Sequence, residues 1–309
     1  MQCAICWNHL LTVLKTKNIS VNNNLPNLVK YSKMKWNQPV TNVRTFSSKQ
    51  VETSETTRTS HSLKNIDNHN LKFYQWLAGL IDGDGCLLIS KSGYSSCEIT
   101  VELYDEKMLR IIQNKFGGSI KLWSGIKAIR YRLHNKLGMI HLISCINGLI
   151  RHSSRLKQLN HLCNLLNITL KTSFNIDKNN NWFAGFFDAD GTITYSWKGK
   201  YLIPQLTISV GNKLYCDIVD YPKIFGGNIY YDTSHNGFYK WSIQSWRDIE
   251  NMATYFKQYP SKSIKSKRIH LIPQYYYLCD MKAYRNTIES SVQYKAWKQF
   301  EIKWFSKFD

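Results

Sequence analysis

Two ten-residue blocks of this chain end in paired carboxylates. Trp76 to Gly85 reads WLAGLIDGDG and Trp182 to Gly191 reads WFAGFFDADG, identical at six of ten positions. The acids are Asp82 and Asp84 in the first block, Asp188 and Asp190 in the second. Each pair closes an apolar helical stretch, at the end where the helix dipole disfavours negative charge. That placement works against local stability and needs a partner or a function. Two carboxylates brought side by side cannot both stay ionised in isolation. A hard divalent cation such as Mg²⁺ removes the repulsion and offsets the unfavourable helix end. Phosphodiester hydrolysis is open to such a centre. The ion polarises a phosphate, helps form the attacking hydroxide and stabilises the leaving oxygen. Helix capping is the bland reading of the same acids.

A block that recurs in one chain implies a repeated structural unit. The spacing predicts a first helix over Leu71 to Asp84, stopped at Gly85. Strand-like stretches follow at Cys86 to Lys91 and Cys97 to Leu103. In the second, Ile99, Val101 and Leu103 alternate with Glu98, Thr100 and Glu102. A helix over Glu106 to Phe116 stops at Gly117-Gly118, two strands follow near Ile120 to Trp123 and Ile129 to His134, and a helical region runs toward Asn167. The order then repeats: helix Trp182 to Asp190, strands Thr192 to Trp197 and Gln205 to Val210, a helix from about Leu214 to Phe225 stopped by Gly226-Gly227, and strands near Asn228 to Tyr231 and Phe238 to Ser242. FGGSI at 116–120 recurs as FGGNI at 225–229. The fold class is α+β: two pseudo-symmetric αββαββα halves, each an antiparallel sheet with one face on helices and one left open. The divisions read as leader and linker 1–70, first half 71–175 and second half 176–309. Ala78, Gly79 and Gly83 form a small-residue stripe on the first block helix, as Ala184, Gly185 and Ala189 do on the second. Facing stripes let two helix backbones approach closely. Packed as the interface between halves, the helices would set Asp84 beside Asp190.

Lys and Arg outnumber Asp and Glu by 41 to 21 in 309 residues, a net charge of +20. Such a balance attracts polyanions, nucleic acid above all. No run of about 18 apolar residues exists to span a membrane. The eight cysteines have no framework spacing. The lone Cys3/Cys6 pair reads as reduced thiols, with zinc the weaker alternative. Residues 1–50 hold no acid and seven Lys or Arg, the composition of an organelle transit peptide, with Arg44 to Ser48 as a processing site. A basic leader, or upstream sequence read in frame, is the other reading. Residues 47–70 are polar and read as linker.

Over about residues 71–309 the chain resembles the LAGLIDADG homing endonucleases, specifically the single-chain, two-motif type of organellar intron proteins. Both blocks, their spacing, the two FGG turns and the late basic segments HSSRLKQL (152–159) and SKSIKSKRIHLIP (263–273) carry the resemblance. It implies a monomeric mitochondrial enzyme whose sheets form a DNA-binding saddle, cutting a long asymmetric duplex site to short 3′ overhangs. It also implies Mg²⁺ or Mn²⁺ held by Asp84 and Asp190, aided by the carbonyls of Gly83 and Ala189. Asp82 and Asp188 fall at positions that support the helix end. The position after the second strand, which organises water, maps to Asp105 and, in the second half, to Leu214. That departure implies unequal cutting of the two strands. Arg155 or Lys157, and Lys265 or Lys267, would complete the site, a solvated charge run being the alternative for some of them. The open faces offer Thr100, Glu102, Arg130, Arg132 and His134 from the first half. The second half offers Thr194, Ser196, Lys198, Gln205, Thr207, Ser209, Lys240, Ser242 and Gln244. A two-stranded ribbon fits the major groove, although some of these side chains will meet only phosphate or solvent. Arg132 and Lys240 read as equivalent positions. Some members of the family are RNA maturases, so group I intron RNA is the rival partner.

Overall fold

The structure, a computed structural model, describes residues 59–306 apart from 124–126 and 235, with side chains from residue 70 onward. The acid-free leader, Arg44 to Ser48 and the Cys3/Cys6 pair lie outside the described residues. No helix among the described residues is long and apolar enough to cross a membrane.

Helix α1 (Thr59–Asp84) runs straight into β1 (Gly85–Ile89). Its start lies upstream of Leu71, so residues 59–70 are helix rather than linker. No glycine or proline interrupts residues 59–78, which lets the polar stretch continue the apolar one. β2 (Ser95–Glu102), a 3₁₀ turn (Leu103–Asp105), α2 (Glu106–Phe116), β3 (Ser119–Leu122) and β4 (Ala128–Leu133) follow. α3 (Lys136–Ile146) and α4 (Ser153–Leu166) replace the single helical region expected; Gly148, at φ +92°, lies in the break between them.

The second repeat runs α5 (Trp182–Asp190), β5 (Gly191–Lys198), β6 (Ile203–Asn212), a 3₁₀ turn (Tyr215–Asp217), α6 (Tyr221–Phe225), β7 (Asn228–Asp232) and β8 (Phe238–Ile243). α6 is far shorter than the helix expected from Leu214. Pro222 sits in its first turn, the only place in a helix that tolerates proline, so the helix cannot start earlier. α7 (Trp246–Gln258), α8 (Lys265–His270), α9 (Ile272–Asp280) and α10 (Val292–Phe305) complete the chain.

Each repeat forms a four-stranded antiparallel sheet, in the orders β1-β2-β4-β3 and β5-β6-β8-β7. Period-two alternation decides which face is covered. Cys97, Ile99 and Val101 are buried while Ser96, Glu98 and Thr100 point to the other side; Ile193 and Tyr195 are buried while Thr194 and Ser196 are exposed. The two sheets therefore each keep one open, polar face.

α1 and α5 meet through glycine. A Cβ on Gly79 would lie 1.9 Å from the Trp182 carbonyl oxygen, and one on Gly185 1.8 Å from that of Trp76. The contact is reciprocal and backbone to backbone, so nothing flexible can give way. The indoles brace the same crossing: Trp76 Nε1 donates to Asp188 and Trp182 Nε1 to Asp82, each at 2.8 Å. Gly185→Ala should cost ~3 kcal/mol or more, because overpacking here must push two helices apart. Urea denaturation of the variant measures this; an unchanged midpoint would contradict the close contact.

Candidate active site and DNA-facing surface

The crossing of α1 and α5 delivers their last residues to one place. A Cβ on Gly83 would stand 2.3 Å from the Ala189 methyl and 3.0 Å from Asp190 Oδ2. One helix must therefore carry glycine where the other carries alanine. Asp84 is half-buried and Asp190 is exposed at the rim. Loss of hydration, then the charge of Asp190, hold the Asp84 carboxyl well above the usual carboxylate range. Loss of hydration also raises Asp190. Lys265 and Arg155 pull both back down.

Those two cations occupy matching places. Arg155 is buried and donates to the carbonyls of Ile81 and Gly83, each at 3.1 Å. Lys265 Nζ donates to Phe187 at 3.0 Å and to Asp188 and Ala189 at 2.8 Å. Each neutralises the carbonyl end of one block helix and so offsets the dipole problem posed by the acids. Of the two registers left open by sequence, Arg155 and Lys265 reach the helix ends; Lys157 is exposed, and Lys267 lines the outer cleft. Gly83 and Ala189 thus present carbonyls that already accept from a cation. A second lone pair remains on each, but a like charge stands beside any metal placed there.

Asp82 and Asp188 do a different job. Asp82 accepts from the backbone N–H groups of Arg151 and His152 at 2.9 and 3.2 Å, besides Trp182. Asp188 accepts from the N–H groups of Lys262 and Ser263 and from the hydroxyls of Ser261 and Ser263. Both acids are buried and pin the basic segment of their own repeat to the helix crossing. Burial pushes Asp82 up to about 7 despite these donors.

Asp105 accepts from the Ile264 N–H at 2.7 Å, beside Lys265 of the other repeat. Its counterpart is Asp217, not Leu214. Asp217 closes the second 3₁₀ turn as Asp105 closes the first, and accepts from the Ser153 N–H at 3.0 Å and hydroxyl at 2.5 Å. Leu214 is an exposed residue just before that turn. Each repeat therefore anchors the cation-bearing segment of the other, and the asymmetry expected from Leu214 loses its basis. The two ends still differ in their cation, Arg155 against Lys265, besides Gly83 against Ala189 and the deeper burial of Asp84. A cleft of ≈ 280 Å³ joins Asp84, Glu102 and Asp105 to Thr192, Lys265 and Lys267.

Among the described residues no group of three or more His, Cys, Asp or Glu converges to hold a metal ion. Two adjacent carboxylates still fit a hard cation that keeps waters and takes phosphate oxygens as further ligands, as Mg²⁺ commonly does. The residues fit such an ion and give no soft ligand for zinc or copper.

The open sheet faces carry most of the expected contact residues. Glu102, Arg132, His134, Thr194, Ser196, Lys198 and Gln244 are exposed, and Thr100, Arg130, Gln205, Thr207 and Lys240 are half-buried. Ser209 and Ser242 are corrections: they lie on this face by register but are 2% and 9% exposed. They pair with each other on the two inner strands, where a short hydroxyl sits below its longer neighbours. The register also corrects the matching of Arg132 with Lys240. Arg132 faces Glu98 as Ser242 faces Ser209, so Lys240 matches Arg130.

Two helices crossing on glycine, paired terminal aspartates and two open antiparallel sheets define a duplicated nuclease-like scaffold. The chain belongs to the LAGLIDADG endonuclease family, whose pattern it matches over residues 77–177 and 183–276. It is 51% identical over 90% of its length to the intron-encoded RNA maturase bI4 of Saccharomyces cerevisiae, covering 48% of that protein. It is 48% identical over 86% of its length to the probable intron-encoded endonuclease aI2 of Debaryomyces hansenii, covering 46% of it. The chain thus spans about half the length of these curated relatives. An intron-encoded DNA endonuclease of Dictyostelium discoideum, ai2b, is 34% identical over 74% of the chain and 88% of the relative. Among solved structures, the homing endonuclease I-GzeII in complex with its DNA target superposes with a TM-score of 0.55 at 15% identity, covering 75% of this chain and 96% of that one. These structures share the fold.

Proposed function

We propose that this chain is a site-specific DNA endonuclease that hydrolyses phosphodiester bonds in a long duplex target and thereby promotes mobility of its intron. The observation that carries the reading is the meeting of Asp84 and Asp190, flanked by Arg155 and Lys265, between two open antiparallel faces. Residues 71–175 and 176–309 act as the two halves of a monomer, working in the mitochondrion. Asp84 and Asp190 hold Mg²⁺ or Mn²⁺, with the Gly83 and Ala189 carbonyls as secondary donors. The bound ion supplies Lewis-acid activation of the scissile phosphate and its attacking water. Asp105 orients water beside Asp84 and fixes Ile264, while Arg155 and Lys265 hold the helix ends and draw both carboxyls down toward ionisation. Lys267 meets phosphate at the cleft edge. Thr100, Glu102, Arg130, Arg132, His134, Thr194, Ser196, Lys198, Gln205, Thr207, Lys240 and Gln244 face the duplex.

The rival reading is an intron RNA maturase, favoured by the 51% identity to a protein of that name. A +20 chain suits either polyanion. Cleavage of duplex at the intronless junction, in Mg²⁺ and not in Ca²⁺, tests the first reading. Intron splicing that depends on the chain while the duplex stays intact would favour the second.

The carboxyl pair also sets a pH dependence. A carboxyl raised in the folded state binds protons there that the unfolded chain has released, so its contribution to stability falls as pH rises from about 4. In EDTA, Asp84→Asn should therefore gain stability relative to the native chain as pH rises from about 4 to 8. Urea midpoints of both proteins across this window check it; parallel curves would mean that the pair is not crowded.

A further inference from the structure

The open face of the first sheet carries a charge cluster that its repeat lacks. Glu98 on β2 lies directly opposite Arg132 on β4, and Thr100 opposite Arg130. Glu98 accepts from Arg132 at 2.7 Å and from Arg130 at 3.2 Å. The Arg130 guanidinium lies 3.6 Å from the ring centroid of Trp123. Arg130 is therefore held from two sides, by a carboxylate and by an aromatic face. The side chains of Glu98, Arg130 and Arg132 are 15%, 28% and 49% exposed, so Arg132 is the group that projects. The matching positions of the second sheet are Ser209, Lys240 and Ser242, two of them buried hydroxyls.

We infer that Arg132, braced by Glu98, which Arg130 also holds, is a specificity-determining residue that reads one guanine in the half-site under the first sheet, with no equivalent reader in the second. The inference rests on the proposed DNA-cutting function. Guanine offers two acceptors on its major-groove edge, O6 and N7, and a guanidinium fork matches them in two parallel hydrogen bonds. Glu98 occupies one N–H of Arg132 and leaves its other donors to the base. A fork already fixed on the sheet loses less freedom on binding than a loose one. Glu98 itself is too sunken to lead the contact, and its negative charge would otherwise oppose approach of the backbone. Its place here makes sense as a brace.

The test is selection of a randomised duplex library by the full chain in Ca²⁺, followed by sequencing. The native chain should enrich a motif with one strongly fixed guanine on one side of its centre. R132A should reduce enrichment of that guanine about tenfold or more, the rest of the motif being kept. R132K should lose it as well, while retaining the salt dependence of binding, because lysine keeps the charge without the fork. E98A should weaken the preference and raise affinity for unrelated duplex. Even loss across the whole motif in R132A, or a preference that survives in R132K, would overturn the inference and make Arg132 a phosphate contact. If the native chain enriches no motif at all, the proposed function fails and takes the inference with it. Thermal melts of R132A and R132K identify any loss that is only unfolding. Should R132A unfold, R132K, the smaller change, decides between the two outcomes.

Discussion

Asp84→Asn and Asp190→Asn should each lower double-strand cleavage by about a thousandfold or more while leaving duplex binding in Ca²⁺ near the native level. Asparagine keeps the shape and one oxygen but loses the charge that draws a hard cation to a site centred on two adjacent carboxylates. Loss of ~4 kcal/mol of transition-state stabilisation corresponds to that factor. Binding should survive because the open faces of the sheets, where Thr194, Ser196 and Arg132 lie, are formed by other residues. The fold should also survive, since either change relieves the repulsion that raises Asp84. Gel shifts and cleavage assays on one preparation separate the two effects. Cleavage at the native rate in either variant would remove that aspartate from the site.

Lys265→Met should lower the cleavage rate by about a hundredfold, and the acidic limb of the pH–rate profile should move toward higher pH. Lys265 Nζ touches three carbonyls at the end of α5 and is the foremost charge lowering Asp190. A fixed donor at such a site is worth ~3 kcal/mol. Without it, Asp84 and Asp190 retain their protons to higher pH and compete less well for metal. A purely structural lysine would lower the rate at every pH alike and leave the limb in place. Arg155→Met should act in the same direction with a larger cost in stability, because Arg155 is buried at its helix end whereas Lys265 is half-buried.

The centre of the site was legible in the sequence because it is written twice. Asp84 and Asp190 each end a repeated apolar block, and the stripes through Gly79 and Gly185 foretell a crossing that only glycine permits. Asp217 was not legible by counting. Ile99 pairs with Gly85 and Val210 with Gly191; Asp105 lies six residues past Ile99, Asp217 seven past Val210. One extra residue after the second strand shifts the register, so that the same count from Val210 falls on Cys216 rather than Asp217. A signal did exist, in the only acid shared by the two turn segments. Alternation told which residues of β6 and β8 face outward but not how deep Ser209 and Ser242 lie, since depth depends on the length of neighbouring side chains. The pairing of Trp76 with Asp188 and Trp182 with Asp82 spans 112 and 100 residues, and no local pattern encodes it. The start of α1 was missed because the polar composition of residues 59–70 reads as linker, although no glycine or proline stops the helix there.

The most direct measurement gives the native chain two substrates in parallel at one salt concentration: the duplex motif that it selects, and the intron RNA proposed as its rival partner. The products are resolved on a denaturing gel in Mg²⁺, in Ca²⁺ and in EDTA. Both DNA strands should be cut at fixed positions in Mg²⁺ alone, and the Asp84→Asn chain should bind the duplex and leave it whole. An intact duplex in Mg²⁺, with intron RNA bound tightly and spliced faster, would contradict the account and leave the paired aspartates without a catalytic role.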